Sequence, residues 1–124
     1  NKHLPYRLKP YGGSAYFCLA KKHVSYILRY IENKPDIISF FRHTFAPDEM
    51  FFQTILMNSP LKDSIVNDNL RYIDWFKRGV QLPAVLTIAD VDNLTRSQKL
   101  FARKFDLDVD SKILDYIDKK NLGV

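Results

Sequence analysis

The chemistry in this chain of 124 residues is confined to a few short stretches. The first is Asp48-Glu49, two carboxylates placed after Pro47 and ahead of Phe51, Phe52, Ile55 and Leu56. A hydroxyl is a poor nucleophile until a base takes its proton, and a rigid carboxylate beside a cleft supplies that base. Asp and Glu are also ordinary residues of a helix's first turn, so both readings stand at this point. The second group is cationic: Lys21-Lys22, Lys77-Arg78, Arg103-Lys104 and Lys119-Lys120. Together with a net charge of +5 they favour an anionic partner. Pairs of cations without a long basic block suit a diphosphate at least as well as a polymer backbone. Arg103-Lys104 lies between Phe101 and Phe105, an apolar frame that can fix one cation's direction. Lys77-Arg78 follows an alternating stretch read as a strand, where open α/β sheets place ligand contacts.

Other stretches carry weaker signals. Gly12-Gly13-Ser14 is a turn or a close backbone approach beside a ligand. Trp75, the single tryptophan, is by default a core residue and alternatively a stacking wall for a sugar. Asp90-Val91-Asp92 and Asp108-Val109-Asp110 spell Asp-x-Asp, which hard cations favour. Both stand at expected helix starts, where Asp is favoured as a cap, and no metal site is expected. His3, His23 and His43 share no ligand spacing. The single cysteine, Cys18, reads as a small buried hydrophobe and fits a reducing compartment.

The elements that must position these residues follow from periodicity and punctuation. A hydrophobic fraction of 46% with 14% aromatics excludes disorder, and the length suits one modest domain. No apolar run approaches the roughly 20 residues of a membrane helix, so no stable membrane insertion is expected. Residues 1–10 read as a connecting segment, and residues 15–19 as a short buried strand. A helix is expected over 21–32 with Val24, Ile27, Leu28 and Ile31 facing inward, and another over 36–43. Residues 46–60 form a short helix opened by Pro47 and closed by Asn58-Ser59-Pro60. Short strands are expected at 64–67 and 69–75, followed by a turn at 76–79. Thr87 to Asp90 is a capping box for a helix reaching Ser97. The last helix starts near Asp108 or Asp110, buries Val109, Ile113, Leu114 and Ile117, and closes at Gly123.

Four stretches in order, 11–17 (YGGSAYF), 46–56 (APDEMFFQTIL), 69–75 (NLRYIDW) and 99–106 (KLFARKFD), carry a resemblance. The chain resembles the C-terminal half of the core-2/I-branching β-1,6-N-acetylglucosaminyltransferases, with which peptide O-xylosyltransferases are grouped. The resemblance covers about residues 11–118. It implies an α/β fold of the GT-A type, here short strands with packed helices. The whole of 1–124 would be the acceptor- and diphosphate-binding part of one glycosyltransferase domain, with the nucleotide-base-binding half upstream.

The resemblance also implies a function: inverting transfer of N-acetylglucosamine or xylose from a UDP donor to an acceptor hydroxyl. No metal or other cofactor is implied, because cations take the usual ion's place. Glu49 matches the family's catalytic base, and Lys104 matches its diphosphate lysine. Lys77 and Arg78 match the basic pair that binds diphosphate in the xylosyltransferases. Trp75 matches the acceptor-side tryptophan, and Gly13 and Ser14 join it in lining the sugar. Gln81 stands where branching enzymes carry a second phosphate-binding arginine, so Lys77 or Arg78 would have to complete the site. The lack of disulfide cysteines points to a bacterial, cytoplasmic relative, at most peripheral to the inner membrane. Expected partners are the UDP-sugar, a carbohydrate or hydroxyl acceptor and the upstream half, with no nucleic acid. The competing reading is a basic polyanion-binding module without catalysis.

Overall fold

The structure, a computed structural model, describes residues 3–123. Asn1 and Lys2 of the expected connecting segment, and Val124, lie outside the described residues. The chain forms two units, Asn1–Asn69 and Leu70–Val124.

The first unit is helical: α1 (Lys21–Asn33), α2 (Asp36–Phe41) and α3 (Phe51–Met57), with 3-10 turns at Pro5–Arg7, Pro47–Glu49 and Lys62–Ser64. Its core is Ile27, Ile37, Phe41, Phe51, Ile55 and Leu56. The Phe41 and Phe51 rings meet edge to face with centroids 5.3 Å apart, the arrangement their quadrupoles favour. α1 buries His23 and Ile27, while Val24 and Leu28 are exposed. The helix is thus turned by about one residue from the expected face. His23 accounts for this: its Nε2 lies 2.9 Å from Ser64 Oγ, which itself donates to the Leu61 carbonyl at 2.7 Å. The hydroxyl hydrogen is therefore committed to Leu61, and Nε2–H of His23 is the donor.

Two expected strands of this unit are absent. Residues 15–19 join no ladder, and burial alternates along them. Phe17 and Leu19 face the packed side, and the Phe17 ring meets that of Phe52 at a tilt with centroids 5.0 Å apart. The same alternation turns Cys18 outward, so it is exposed and not buried. Residues 64–67 leave the Lys62–Ser64 turn as irregular chain with Val66 exposed, because no neighbouring strand offers a partner.

The second unit is mixed. β1 (Arg71–Ile73) and β2 (Phe101–Arg103) form a parallel two-stranded sheet, pairing Arg71 with Phe101, Tyr72 with Ala102 and Ile73 with Arg103. Parallel strands require a crossover connection. Here it contains the 3-10 turn Ile88–Asp90 and α4 (Val91–Arg96), and α5 (Lys112–Leu122) follows β2. Leu86, Val91 and Ile113 form the core, with Tyr72, Ala102, Phe105, Leu114 and Ile117 against it. Val109, expected inside, is exposed because it precedes α5 in the turn that Asp106 closes. The capping box stands as expected: the Thr87 N–H donates to Asp90 Oδ2 at 2.8 Å. Gly123 ends α5 with φ +69°, a left-handed conformation glycine adopts without a Cβ clash.

β1 is shorter than the expected 69–75, because Leu70 enters it at φ +57° and the chain leaves it after Ile73. β2 was not anticipated, since its residues mix charge with aromatics without clean alternation. Among the described residues no helix is long and apolar enough to cross a membrane.

Candidate active site

In the first unit, α3 and the segment before α1 are joined by side chains. The Asn58 amide donates to the Lys9 carbonyl at 2.8 Å, and its Oδ1 accepts the Lys9 N–H at 3.1 Å. Thr54 Oγ1 does the same for Tyr11, at 3.1 Å in each direction. Gln53 Nε2 donates to the Ser14 carbonyl at 2.9 Å. Glu49 completes the row, its carbonyl accepting the Gly13 N–H at 2.8 Å. Extended backbone that finds no strand must pair elsewhere, and the polar residues on α3 and its leading turn take the strand's place.

This row brings Gly13 and Ser14 to Glu49. Gly12 packs on the same carbonyl, since a Cβ there would lie 3.7 Å from the Glu49 oxygen. Glu49 does not sit in the first turn of an α-helix, as periodicity suggested. It ends the 3-10 turn Pro47–Glu49, and Met50, at φ −132° and ψ −35°, separates it from α3. Ala46 enters that turn at φ +46°, and the Glu49 N–H returns to the Ala46 carbonyl at 3.1 Å. The break turns Glu49 away from the face that carries Phe51, Ile55 and Leu56 into the core. Its side chain is exposed and has no hydrogen bond or ion pair among the described residues. A depression of about 350 Å³ on α1, lined by Tyr26, Arg29, Tyr30, Asn33 and Lys34, contains none of the expected site residues.

In the second unit the candidate cations lie on the segments that follow the two strands. Lys104 is the first residue past β2, and Asp74 the first past β1; the two strands run parallel and in register, so both residues leave the same C-terminal edge. The segment around Ala84 and Leu86 ties this edge together, the Ala84 N–H donating to the Asp74 carbonyl and the Leu86 N–H to the Lys104 carbonyl, each at 2.9 Å. Asp74 Oδ1 accepts the N–H groups of Phe76 (2.8 Å) and Lys77 (3.0 Å) and turns the chain out of the sheet. Trp75 is consequently half exposed and takes no place in the core. Lys77 Nζ lies 3.8 Å from Asp90 Oδ2. Arg78 is exposed and Lys104 half buried, and neither side chain has a partner among the described residues. Lys104 thus pairs with neither Asp106 nor Asp108. Burial, with the charges of Asp74 and Asp90 adding to it, holds the Tyr72 phenol above its usual value and so neutral.

One carboxylate of each Asp-x-Asp tripeptide is engaged by backbone. Asp90 closes the capping box, and Asp110 accepts the Ile88 N–H at 2.6 Å and the Lys112 N–H at 2.8 Å. Those amide hydrogens, Ile88's first, hold the Asp110 carboxyl below its ordinary value. Sequence reasoning overlooked Gln53 and Thr54 and read Asn58 only as a helix end. The signal was available: Gln53 and Thr54 interrupt an apolar helical run, and Thr54 is fully buried.

A family model described as "Branch: Core-2/I-Branching enzyme" matches residues 1–95, and the chain belongs to that family. It is 30% identical over 122 residues to the β-glucuronosyltransferase GlcAT14A of Arabidopsis thaliana, a match covering 97% of this chain and 27% of that protein. It is 31% identical over 124 residues to xylosyltransferase 2 of Rattus norvegicus, covering 86% of this chain and 14% of that protein. The chain therefore spans little more than a quarter of one relative and less of the other. No solved structure gives a significant match.

Proposed function

We propose that this chain is the acceptor- and diphosphate-binding part of a UDP-sugar-dependent, inverting glycosyltransferase with a GT-A-type fold, and that Glu49 is its general base. The observation that carries this reading is the state of Glu49. Its backbone is fixed by Ala46 and Gly13, while its carboxylate is exposed and uncommitted among the described residues. A base must be held in place and must also have a lone pair to spare.

In the reaction, the Glu49 carboxylate takes the acceptor hydroxyl's proton as that oxygen attacks the anomeric carbon. The bond from that carbon to the UDP oxygen breaks on the opposite face, so the configuration inverts. The electron pair of the broken bond leaves on the diphosphate. Lys104, with Lys77 or Arg78, stabilises that charge through charge-assisted hydrogen bonds. The resemblance assigns a sugar-lining role to Gly13 and Ser14 in the first unit and, separately, an acceptor-side role to Trp75 in the second. Xylose, N-acetylglucosamine and, from the relatives' names, glucuronic acid are the donor sugars to try. The single cysteine supports a reducing, cytoplasmic setting.

In this reading the cations carry the role of a metal, so transfer persists in EDTA. The test uses the protein at its natural length, with UDP-xylose, UDP-glucuronic acid and UDP-N-acetylglucosamine as donors and UDP release as the readout. Release in EDTA with selective UDP binding supports the reading. Activity abolished by EDTA and restored by manganese contradicts metal independence. Steeply salt-dependent binding of any polyanion, without UDP selectivity, favours a basic binding module instead.

A further inference from the structure

Gln53 lies in α3, across the Met50 break from Glu49, and its amide is placed for a task that packing does not require. The buried positions of α3 are Phe51, Thr54, Ile55 and Leu56. Gln53 Nε2 donates to the Ser14 carbonyl at 2.9 Å, whereas its Oε1 is out of solvent with no partner among the described residues. A side chain kept only to fill that space would be better apolar, because a buried acceptor without a donor is costly. Gly13 supplies the room: a Cβ there would lie 3.2 Å from Gln53 Cγ and 3.5 Å from Nε2.

The Gly13-Ser14 pair is therefore held at both ends, its first N–H by the Glu49 carbonyl at 2.8 Å and its last carbonyl by Gln53. The same contact works in reverse on Glu49. With no hydrogen bond to its carboxylate among the described residues, the Glu49 side chain is anchored through its backbone, which sets the point and direction from which it leaves the chain. The Gly13 N–H fixes the peptide plane that leads from Glu49 into Met50. Release of Ser14 frees Gly13, and release of Gly13 frees that plane.

We propose that Gln53 is a positioning residue for Glu49, acting through the Gly13-Ser14 turn. This rests on the base role proposed for Glu49. Loss of the amide leaves the carboxylate present but misdirected, and a displacement of about 1 Å costs up to about 100-fold in rate.

Gln53→Met and Gln53→Glu, in the protein at its natural length, are compared with the parent and with Glu49→Gln, using UDP-xylose and UDP-glucuronic acid as donors. Gln53→Met should lower kcat by about 10–100-fold while the calorimetric Kd for UDP stays within about twofold. Gln53→Glu should be as deficient near neutral pH, where a carboxylate cannot donate to the Ser14 carbonyl. Its rate relative to the parent should recover as the pH falls toward the ordinary Glu range, where the carboxyl O–H can donate. A purely structural role would not produce that ratio, and the ratio decides the matter even if Gln53→Met fails to fold. Parental kcat in Gln53→Met, or a pH-independent ratio for Gln53→Glu, overturns the proposal. An inactive parent, or an active Glu49→Gln, overturns the base reading itself. An active parent with inactive Glu49→Gln and fully active Gln53→Met overturns only the role of Gln53.

Discussion

One hydroxyl, that of Thr54, serves both backbone polar groups of Tyr11, accepting its N–H and donating to its carbonyl at 3.1 Å each. A neighbouring strand would normally do this. The substitution of a helix for a strand explains why Gly12-Gly13-Ser14 comes to lie against Glu49, and it makes the two glycines unequal.

Gly13→Ala should be the damaging change and Gly12→Ala the mild one. A Cβ at Gly13 meets Gln53 Cγ at 3.2 Å, whereas one at Gly12 meets only the Glu49 carbonyl at 3.7 Å, an ordinary contact. Gln53 is tied to Ser14 and yields only by giving up that bond. Overpacking of this kind costs about 1–3 kcal/mol, while an unobstructed surface change stays within about 0.5 kcal/mol. Urea denaturation of the two variants checks the order, and equal midpoints would show that the Gln53 clamp is loose.

What the sequence made legible is what local rules determine. Thr87 and Asp90 announced a capping box, and Gly123 announced the end of a helix, because caps are fixed by side chains within one turn. The apolar stripe of Phe51, Ile55 and Leu56 was legible from its helical spacing and lies in the core of the first unit, whereas on α1 the expected Val24 and Leu28 are exposed. Partnership at long range was not legible. Residues 15–19 have a strand's composition, but composition does not reveal whether a second strand is adjacent. Phe101 to Arg103 form a strand only because Arg71 to Ile73 pair with them, and Arg71 lies over the Phe101 ring at 4.8 Å. Glu49 stood out as a candidate through its motif, whereas Gln53 and Thr54, which hold the turn beside it, looked like ordinary polar residues on a helix.

Acid should weaken the second unit through Asp110. Its folded-state carboxyl titrates below its ordinary value, chiefly because the Ile88 and Lys112 amides point at it. The unfolded chain therefore takes up this proton more readily than the folded one. The stabilisation is complete above the ordinary Asp value, near pH 4, and disappears as the pH falls through the folded value. Asp110→Asn should melt lower than the parent at pH 7, with the gap narrowing below about pH 4. A gap that is constant with pH would mean that Asp110 acts without its charge.

Among the cations, Lys104 and Arg78 should matter more to UDP than Lys77. Lys77 already faces Asp90 at 3.8 Å and must exchange that partner for phosphate, whereas the other two side chains have none among the described residues. A charge-assisted hydrogen bond is worth roughly 1.5–3 kcal/mol, so Lys104→Ala should weaken UDP binding by about 10–150-fold. Uridine, which lacks the diphosphate, should bind the variant as it binds the parent. Calorimetric titration of both ligands reads this directly. Equal weakening of uridine, or a larger loss in Lys77→Ala than in Lys104→Ala, would contradict the assignment.

The base role of Glu49 is the centre of the account, and Glu49→Gln in the protein at its natural length tests it most directly. The substitution keeps the size of the side chain and leaves the backbone hydrogen bonds to Gly13 and Ala46 free to form. Single-turnover transfer from the UDP-sugar should fall by about 100- to 10,000-fold, the usual cost of losing a general base. The Kd for UDP should stay within about twofold of the parent. Near-parental transfer by Glu49→Gln would remove Glu49 from the base role and, with it, the mechanism proposed for this chain.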